Sequence, residues 1–417
     1  MTDSLQLSPS DLAWEHFRNP SAEDGQPYPP SLRAISNAQG FMAARQVLRA
    51  LPGYAPTPTR ELAGLAARLG IQRLYYKDES ARFGVGAFKG MGGAYALYRL
   101  LEARAAALGK IVTAPDLLAR EYPELTAGLT VACGSTGNHG RSLARAAQIF
   151  GCACVIYVPS NTTRARIDAL EGLGAKIVRV DGNYDAAVAG AEADARASGW
   201  SIISDTAYAG HDATPHDVMH GYRVIVDEVV HQIPRDVVPT HAFVQAGVGG
   251  IAAAFCAHFW ETWGLLRPRF VVVESREAAC LLCSAQLGEL VTIGGDLDTR
   301  MAGLAAGRAS TLAWEILRVG ANDFVSIADA PSLLAMRMLA ARTGEDPPVV
   351  AGEAGAAGLG ALLVALSDEE RRHALGLDSA SRVMLIGTEG ATDPASYQEI
   401  VGLEPQDVLN GRSVGID

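Results

Sequence analysis

Lys89 stands in the stretch RFGVGAFKGMGG, Arg82 to Gly93, among five glycines and with no other amine in the stretch. A lysine amine becomes a covalent catalyst when it attacks a carbonyl to form a Schiff base, and burial beside an apolar neighbour such as Phe88 favours its neutral, nucleophilic form. Backbone this permissive predicts that something must fit close to that nitrogen. A second stretch, FVQAGVGGIAAAF, ends an apolar run at Gly247-Val248-Gly249-Gly250 and continues from Ile251 as a helix. Free N–H groups and the positive end of a helix dipole suit a phosphate there. The same residues fit the looser G-x-G-x-x-A pattern of a nicotinamide site through Gly247, Gly249 and Ala252, with Glu274 at the end of the next strand. A tight turn made for packing is the plain alternative. A third stretch, ACGSTGNHGRSLARAAQIFG, places Ser135, Thr136, Gly137 and Asn138 at a helix start. Hydroxyls and amides suit a carboxylate and the Asn138 side chain suits a ring oxygen, unless Ser135 and Thr136 only cap the helix. Most lysines are solvated surface charges, and it is the set of covalent amine, phosphate holder and carboxylate holder that singles out Lys89.

Alternating elements must position these turns. Strands are expected at Leu129 to Cys133, Cys154 to Val158, Lys176 to Val180, Ala242 to Gln245, Phe270 to Glu274 and Val383 to Ile386. Helices are expected between them, from Asn138 to Phe150, Thr163 to Leu173, about Gly250 to Trp260, and up to about Leu287. Such alternation predicts an α/β fold of mainly parallel sheets flanked by helices, with ligands at the carboxyl ends of the strands. Residues 1 to about 60, punctuated by Pro20, Pro27, Pro29, Pro30, Pro52, Pro56 and Pro58, are expected as an extended arm wrapping the body.

The 417 residues, 49% of them hydrophobic, suffice for one large two-lobed unit or two to three domains. A net charge of −11 without clustered Lys and Arg excludes general nucleic-acid binding and anionic membrane surfaces. No basic segment precedes an apolar one at the N-terminus, and no apolar run reaches the roughly 18 residues of a membrane span. Six cysteines, at 133, 152, 154, 256, 280 and 283, make no disulfide framework in so long a chain, so the cytoplasm is the expected compartment. Cys280-Leu-Leu-Cys283 has no second ligand pair at a zinc spacing and is expected to supply buried free thiols, with no metal.

Lys77-Asp-Glu-Ser80, RFGVGAFKGMGGAYA, STGNHGR, SDTAYAGHD followed by MHGY, QAGVGG, MAGLAAG with AWEILR, GEAGAAGLG and TEGATDP, in this order from about Leu51 to Tyr397, resemble the diaminopropionate ammonia-lyase family. That family belongs to the pyridoxal-phosphate-dependent enzymes of fold type II, which are tryptophan synthase beta-like. The resemblance implies two lobes, each with a mainly parallel twisted sheet flanked by helices. The larger would comprise residues 1–91 and 211–417, and the smaller, residues 92–210, would carry the STGNHG loop. It implies that Lys89, next to Phe88, holds pyridoxal 5'-phosphate covalently, that Gly247, Val248, Gly249, Gly250 and Ile251 cradle its phosphate, and that Asn138 faces its ring hydroxyl. Thr388 is the implied partner of the ring nitrogen, and Ser135, Thr136, Gly137 and Asp205 contact the substrate. The reaction implied is α,β-elimination by a carbon–nitrogen lyase: Lys89 takes the Cα proton, Asp205 receives the leaving ammonium, and pyruvate and ammonia result. Asp205 read without the resemblance is a turn cap.

The departures bear on substrate. Thr136 stands where the family carries the aspartate that serves D-isomers, and an alcohol cannot act as a base at neutral pH, so L-substrates are expected. Gly86 replaces an asparagine, Ala354 replaces a serine, and Gly387 stands where a hydroxyl is common. On the same fold a serine or threonine dehydratase or a β-replacement synthase is the alternative; outside it stand an NAD-dependent oxidoreductase and a non-catalytic pyridoxal-phosphate binder. The resemblance further implies a homodimer acting on a small amino acid.

Overall fold

Runs such as Phe270-Val-Val-Val273 are apolar at every position, a pattern that only a strand covered on both faces can satisfy, and Val271, Val272 and Val273 are fully buried. The computed structural model describes residues 7–413 apart from Thr136, Asn183 and Ala209, with the side chains of Tyr184 and Asp185 also outside the description. Its strands are β1 (Trp14–Arg18), β2 (Thr59–Glu61), β3 (Arg73–Asp78), β4 (Thr130–Gly134), β5 (Ala153–Pro159), β6 (Lys176–Val180), β7 (Ser201–Ile202), β8 (His241–Gln245), β9 (Arg269–Ser275), β10 (Asp323–Ile327) and β11 (Arg382–Gly387). They form a seven-stranded sheet in the order β1-β10-β9-β8-β11-β3-β2 and a four-stranded sheet in the order β6-β5-β4-β7. The larger sheet is parallel from β10 to β3, with β1 and β2 antiparallel at its edges. Every pairing in the smaller sheet is parallel. Both sheets are of the mainly parallel kind expected from the alternating pattern.

The helices that carry or support the site are α1 (Ala38–Ala50), α2 (Lys89–Ala107), α3 (Asn138–Phe150), α4 (Ala213–Gln232), α5 (Gly250–Trp263), α6 (Cys280–Leu287) and α7 (Thr311–Gly320). Among the described residues no helix is long and apolar enough to cross a membrane. The chain divides into two units: Met1–Ile35, Thr57–Ala81 and Val226–Asp417 hold the seven-stranded sheet, and Ser36–Pro56 with Arg82–Ile225 hold the four-stranded one.

Two features differ from the sequence-based expectation. The N-terminal arm is not simply extended. The Pro-free interval between Pro30 and Pro52 forms α1, opened by Asn37, whose side chain accepts the Gly40 N–H, and Phe41, Ala44, Val47 and Leu48 give it one buried face. The division of the chain also falls elsewhere than at 92 and 210, because Lys89 and α2 belong with the four-stranded sheet, where α2 packs along α3. The glycines around Lys89 make that packing possible. A Cβ on Gly93 would lie 2.2 Å from Ser142 Oγ of α3, and one on Gly92 would lie 2.6 Å from the Tyr222 ring of α4. These two glycines therefore let helices approach one another, which is a different use from the close approach of a ligand.

Candidate active site

In the unit with the four-stranded sheet, Lys89 is the first residue of α2, and its carbonyl accepts a 2.6 Å hydrogen bond from Ser142 Oγ. The turn before it needs left-handed backbone at residue 86, where Gly86 has φ of +82°. Glycine and asparagine are the residues that adopt this region readily, so the departure from asparagine preserves the backbone. Lys89 Nζ forms an ion pair with Asp205 Oδ2 and lies 5.4 Å from the centre of the Phe88 ring. Phe88 is buried and packs on Tyr222 with ring centres 4.8 Å apart. The lysine side chain keeps 18% of its surface exposed, enough for a carbonyl compound to reach the amine.

Asp205 sits in the loop after β7. Burial opposes its ionisation, but attraction to Lys89 and His139 and hydrogen bonds from Lys89 and Thr206 outweigh that and hold its carboxyl well below the usual carboxylate range. His139 follows Asn138 in the same motif, with no signal in the sequence that marks it as part of the site. Its Nε2 donates to the Ile203 carbonyl at 2.8 Å, because a carbonyl only accepts, and this leaves Nδ1 3.9 Å from Asp205 Oδ2. Asn138 opens α3 and is half-buried. The buried Ser135 Oγ accepts the N–H groups of Gly137 and Gly140 at 3.3 and 3.2 Å, which is a capping role with its own proton left to donate. Thr136 lies outside the described residues. A cavity of ≈ 160 Å³ borders the Asp205 loop, with Ser204, His211, Asp212 and Thr214 in its wall.

In the unit with the seven-stranded sheet, β8 runs through Gln245 into the glycine turn. Gly249 has φ of +89°, α5 begins at Gly250, and no side chain caps it, so the first N–H groups of a 14-residue helix are left for a ligand or water. The Val248 carbonyl accepts the Ser310 N–H at 2.9 Å, which ties the turn to the start of α7. Thr388 follows β11 and is buried. Gln245 Nε2 donates to the carbonyls of Ala354 and Ile386, each at 2.7 Å, which fixes the orientation of the amide, and lies 3.1 Å from Thr388 Oγ1. An amide nitrogen does not accept, so the Thr388 hydroxyl proton points away from Gln245 and is available to another acceptor.

Gly387 has a packing cause: a Cβ there would lie 2.3 Å from the Tyr76 ring, so the hydroxyl-bearing side chain expected from the family has no room. Ala354 is buried, and a Cβ on Gly303 would meet it at 3.2 Å. Glu274, the acid of the nicotinamide alternative, is fully buried, and its two oxygens accept the N–H groups of Leu281 and Leu282 at 2.8 and 2.7 Å. It caps α6 and has no oxygen to offer a ribose. Burial pushes its carboxyl up to about 8, against the pull of those two bonds. The six cysteines are free, with Cys280 buried and Cys283 half-buried.

Taken separately, the Lys89 amine suits an aldehyde and the uncapped helix start after Gly249 suits a phosphate. A family model described as pyridoxal-phosphate-dependent enzyme matches residues 50–389. The chain is 38% identical over 364 residues to diaminopropionate ammonia-lyase of Escherichia coli (strain K12), which covers 86% of this chain and 90% of that protein. The crystal structure of the E. coli enzyme in complex with an aminoacrylate-PLP azomethine reaction intermediate superposes with a TM-score of 0.84 at 35% identity, covering 94% of this chain and 98% of that one. The structure of the same enzyme in complex with D-serine superposes with a TM-score of 0.84 at 34% identity, over 93% and 97%. The family match and the superposition define a pyridoxal-phosphate-dependent enzyme of fold type II. Within that class the chain belongs to the diaminopropionate ammonia-lyase family, and the nicotinamide alternative is set aside.

Proposed function

We propose that this protein catalyses the α,β-elimination of 2,3-diaminopropionate, or of a closely related β-substituted amino acid, to pyruvate and ammonia. The observation that carries the reading is the pairing of Lys89 Nζ with Asp205, a covalent amine and a carboxylate held ionised, in a chain of this family. Pyridoxal 5'-phosphate, when bound, supplies an electron sink for the carbanion at Cα. Lys89 would hold the cofactor covalently with Phe88 beside it, and its Nζ, when free, would remove the Cα proton. Asp205 binds the β-nitrogen and keeps it cationic, and a protonated amine departs as neutral ammonia. Gly247, Val248, Gly249, Gly250 and Ile251 take the phosphate through main-chain N–H groups. Asn138 donates to the ring oxygen and Thr388 to the ring nitrogen, while Ser135, Thr136 and Gly137 receive the substrate carboxylate. The Thr388 hydroxyl is neutral, so it would hold the ring nitrogen by a hydrogen bond and bring no negative charge to it.

The same reading makes the enzyme selective for L-substrates. Lys89 supplies the base for one face of Cα, and Thr136, a hydroxyl where the family resemblance expects an aspartate, supplies none for the other. The test is pyruvate release from both enantiomers of 2,3-diaminopropionate and of serine. L-2,3-Diaminopropionate is expected to be the best substrate and the D-isomers inactive. Lys89→Ala is expected to lose the visible absorption of lysine-bound cofactor and its activity. Serine outpacing 2,3-diaminopropionate would move the protein to the dehydratases, and equal rates on D- and L-forms would defeat the stereochemical reading. We also read the chain as a cytoplasmic homodimer. Six free thiols fit a reducing compartment, and sedimentation at the 43.8 kDa mass of one chain would refute the dimer.

A further inference from the structure

Helix α4 carries a group of side chains that the elimination does not use. In His216-Asp217-Val218-Met219-His220 the two imidazoles are one helical turn apart and the carboxylate is one residue after the first, so all three lie on the same side of the helix. One ligand atom from each of His216, Asp217 and His220 lies within 4.8 Å of the others. The rings pack edge to face with centres 4.4 Å apart. His220 is 2% exposed, and its Nε2 has no hydrogen-bond partner. A buried polar nitrogen left unsatisfied is destabilising and uncommon, and a metal ion is one way of satisfying it. The His216 side chain is 33% exposed and that of Asp217 20%, which gives an ion a path from solvent.

We propose that His216, Asp217 and His220 form a binding site for a borderline divalent cation of the zinc class, with water completing its shell. Two histidines four residues apart on one helix face are a recurrent way of holding zinc, and a carboxylate oxygen is an accepted third ligand. The unpartnered Nε2 of the His220 imidazole is the nitrogen that the ring offers to the metal. Gly40 of α1 packs on that ring, where an added Cβ would lie 2.4 Å from Nε2, and so limits its movement. The competitor for the site is Arg99. Its Nε lies 3.4 Å from Asp217 Oδ1, while its Nη1 pairs with Glu102. A cation takes the Asp217 carboxylate in exchange for Arg99, which keeps Glu102. Removing the guanidinium must therefore strengthen metal binding, a signature that a nonspecific surface histidine pair would lack.

The experiment is a calorimetric titration of zinc into the cofactor-loaded enzyme, repeated with His216→Ala, Asp217→Asn and Arg99→Gln, with thermal unfolding followed in parallel. One zinc per chain is expected. His216→Ala should weaken it by at least the roughly 10–100-fold that loss of an outer-shell partner costs a metal site. Asp217→Asn should weaken it as well, and Arg99→Gln should tighten it. Zinc should raise the melting temperature of the wild type and leave that of His216→Ala unmoved. His216 is used in preference to the buried His220 because its replacement leaves the packing on Gly40 intact. Absence of zinc binding, or equal affinity in the wild type and His216→Ala, overturns the proposal, as does weaker binding in Arg99→Gln. None of these readouts uses turnover, so the outcome is independent of the elimination assay.

Discussion

Lys89 and Asp205 were both legible as single residues in quoted motifs, but their ion pair was not, because 116 positions separate them and only the return of the chain after β7 brings the carboxylate to the amine. The pairing sharpens what Asp205 is expected to do. If its charge serves to bind a β-ammonium, Asp205→Asn should keep the visible absorption of bound cofactor and lower kcat on 2,3-diaminopropionate by roughly 10²-fold or more. Serine, whose β-hydroxyl carries no charge for Asp205 to bind, should lose much less. Equal losses on the two substrates, measured as kcat, would assign Asp205 to the placement of Lys89. Glu274 shows the reverse case, a residue whose type suggested ligand chemistry and whose position gives it a capping role. Its carboxyl goes from an ordinary value of 4.5 up to about 8 on folding, so the folded protein binds that proton more tightly. The resulting stability is fully present below pH 4.5 and is lost as the pH rises toward 8. Glu274→Gln should therefore lose less stability than the wild type between pH 5 and pH 8 in urea unfolding, and parallel declines would refute the assignment.

Elements with a strong local signal were legible nearly to the residue. Helix α3 and strand β6 have the bounds expected from the sequence, since each combines an apolar pattern with a glycine at its boundary or an adjacent turn. Strand β3 has no clear signal in the sequence, because Lys77 and Asp78 are residue types that are usually solvated. In the structure Lys77 is fully buried, with Nζ donating to the Thr57 carbonyl at 2.6 Å and to Glu228 at 2.7 Å. Only a partner distant in sequence makes a buried ammonium tolerable there. Edge strand β1 was missed for a related reason, because WEHFR is half-exposed and acquires its identity from pairing with β10. Gly92 and Gly93 of α2 have a packing use that the sequence does not reveal, since a sequence does not show which helix will lie against them. Gly92→Ala tests the packing use. Its Cβ would meet Tyr222 and Val218 at 2.6–2.7 Å, so overpacking should cost about 1–3 kcal/mol. The same change should perturb the absorption of bound cofactor, because Tyr222 packs on Phe88 beside Lys89. An unchanged urea midpoint would show that α2 and α4 tolerate a wider spacing.

At the scale of the whole molecule, the chain forms two units, and each holds some of the residues given roles above. The lysine, Asp205 and Asn138 belong with the four-stranded sheet, and the glycine turn and Thr388 with the seven-stranded one. The alternating βα pattern gave the sheets, but not this partition, because the residues that decide where Lys89 belongs are packing contacts of α2. A cofactor that binds only the folded protein stabilises it by mass action, about 2.7 kcal/mol at a hundred times its Kd. Stripping the cofactor should lower the melting temperature, and adding it back should restore it. Lys89→Ala separates the two modes of attachment, since it removes the covalent bond and leaves the turn at 247–251 untouched. Pyridoxal 5'-phosphate should still raise the melting temperature of that variant, whereas pyridoxal, which lacks the phosphate, should raise it far less at the same concentration. Val248→Asp adds a negative charge at a half-exposed turn position without straining the backbone, and it should erase most of the difference between the two ligands. If pyridoxal and its phosphate shifted the Lys89→Ala protein equally, the helix start after Gly249 would be a packing turn, and the phosphate would have to be held by other residues.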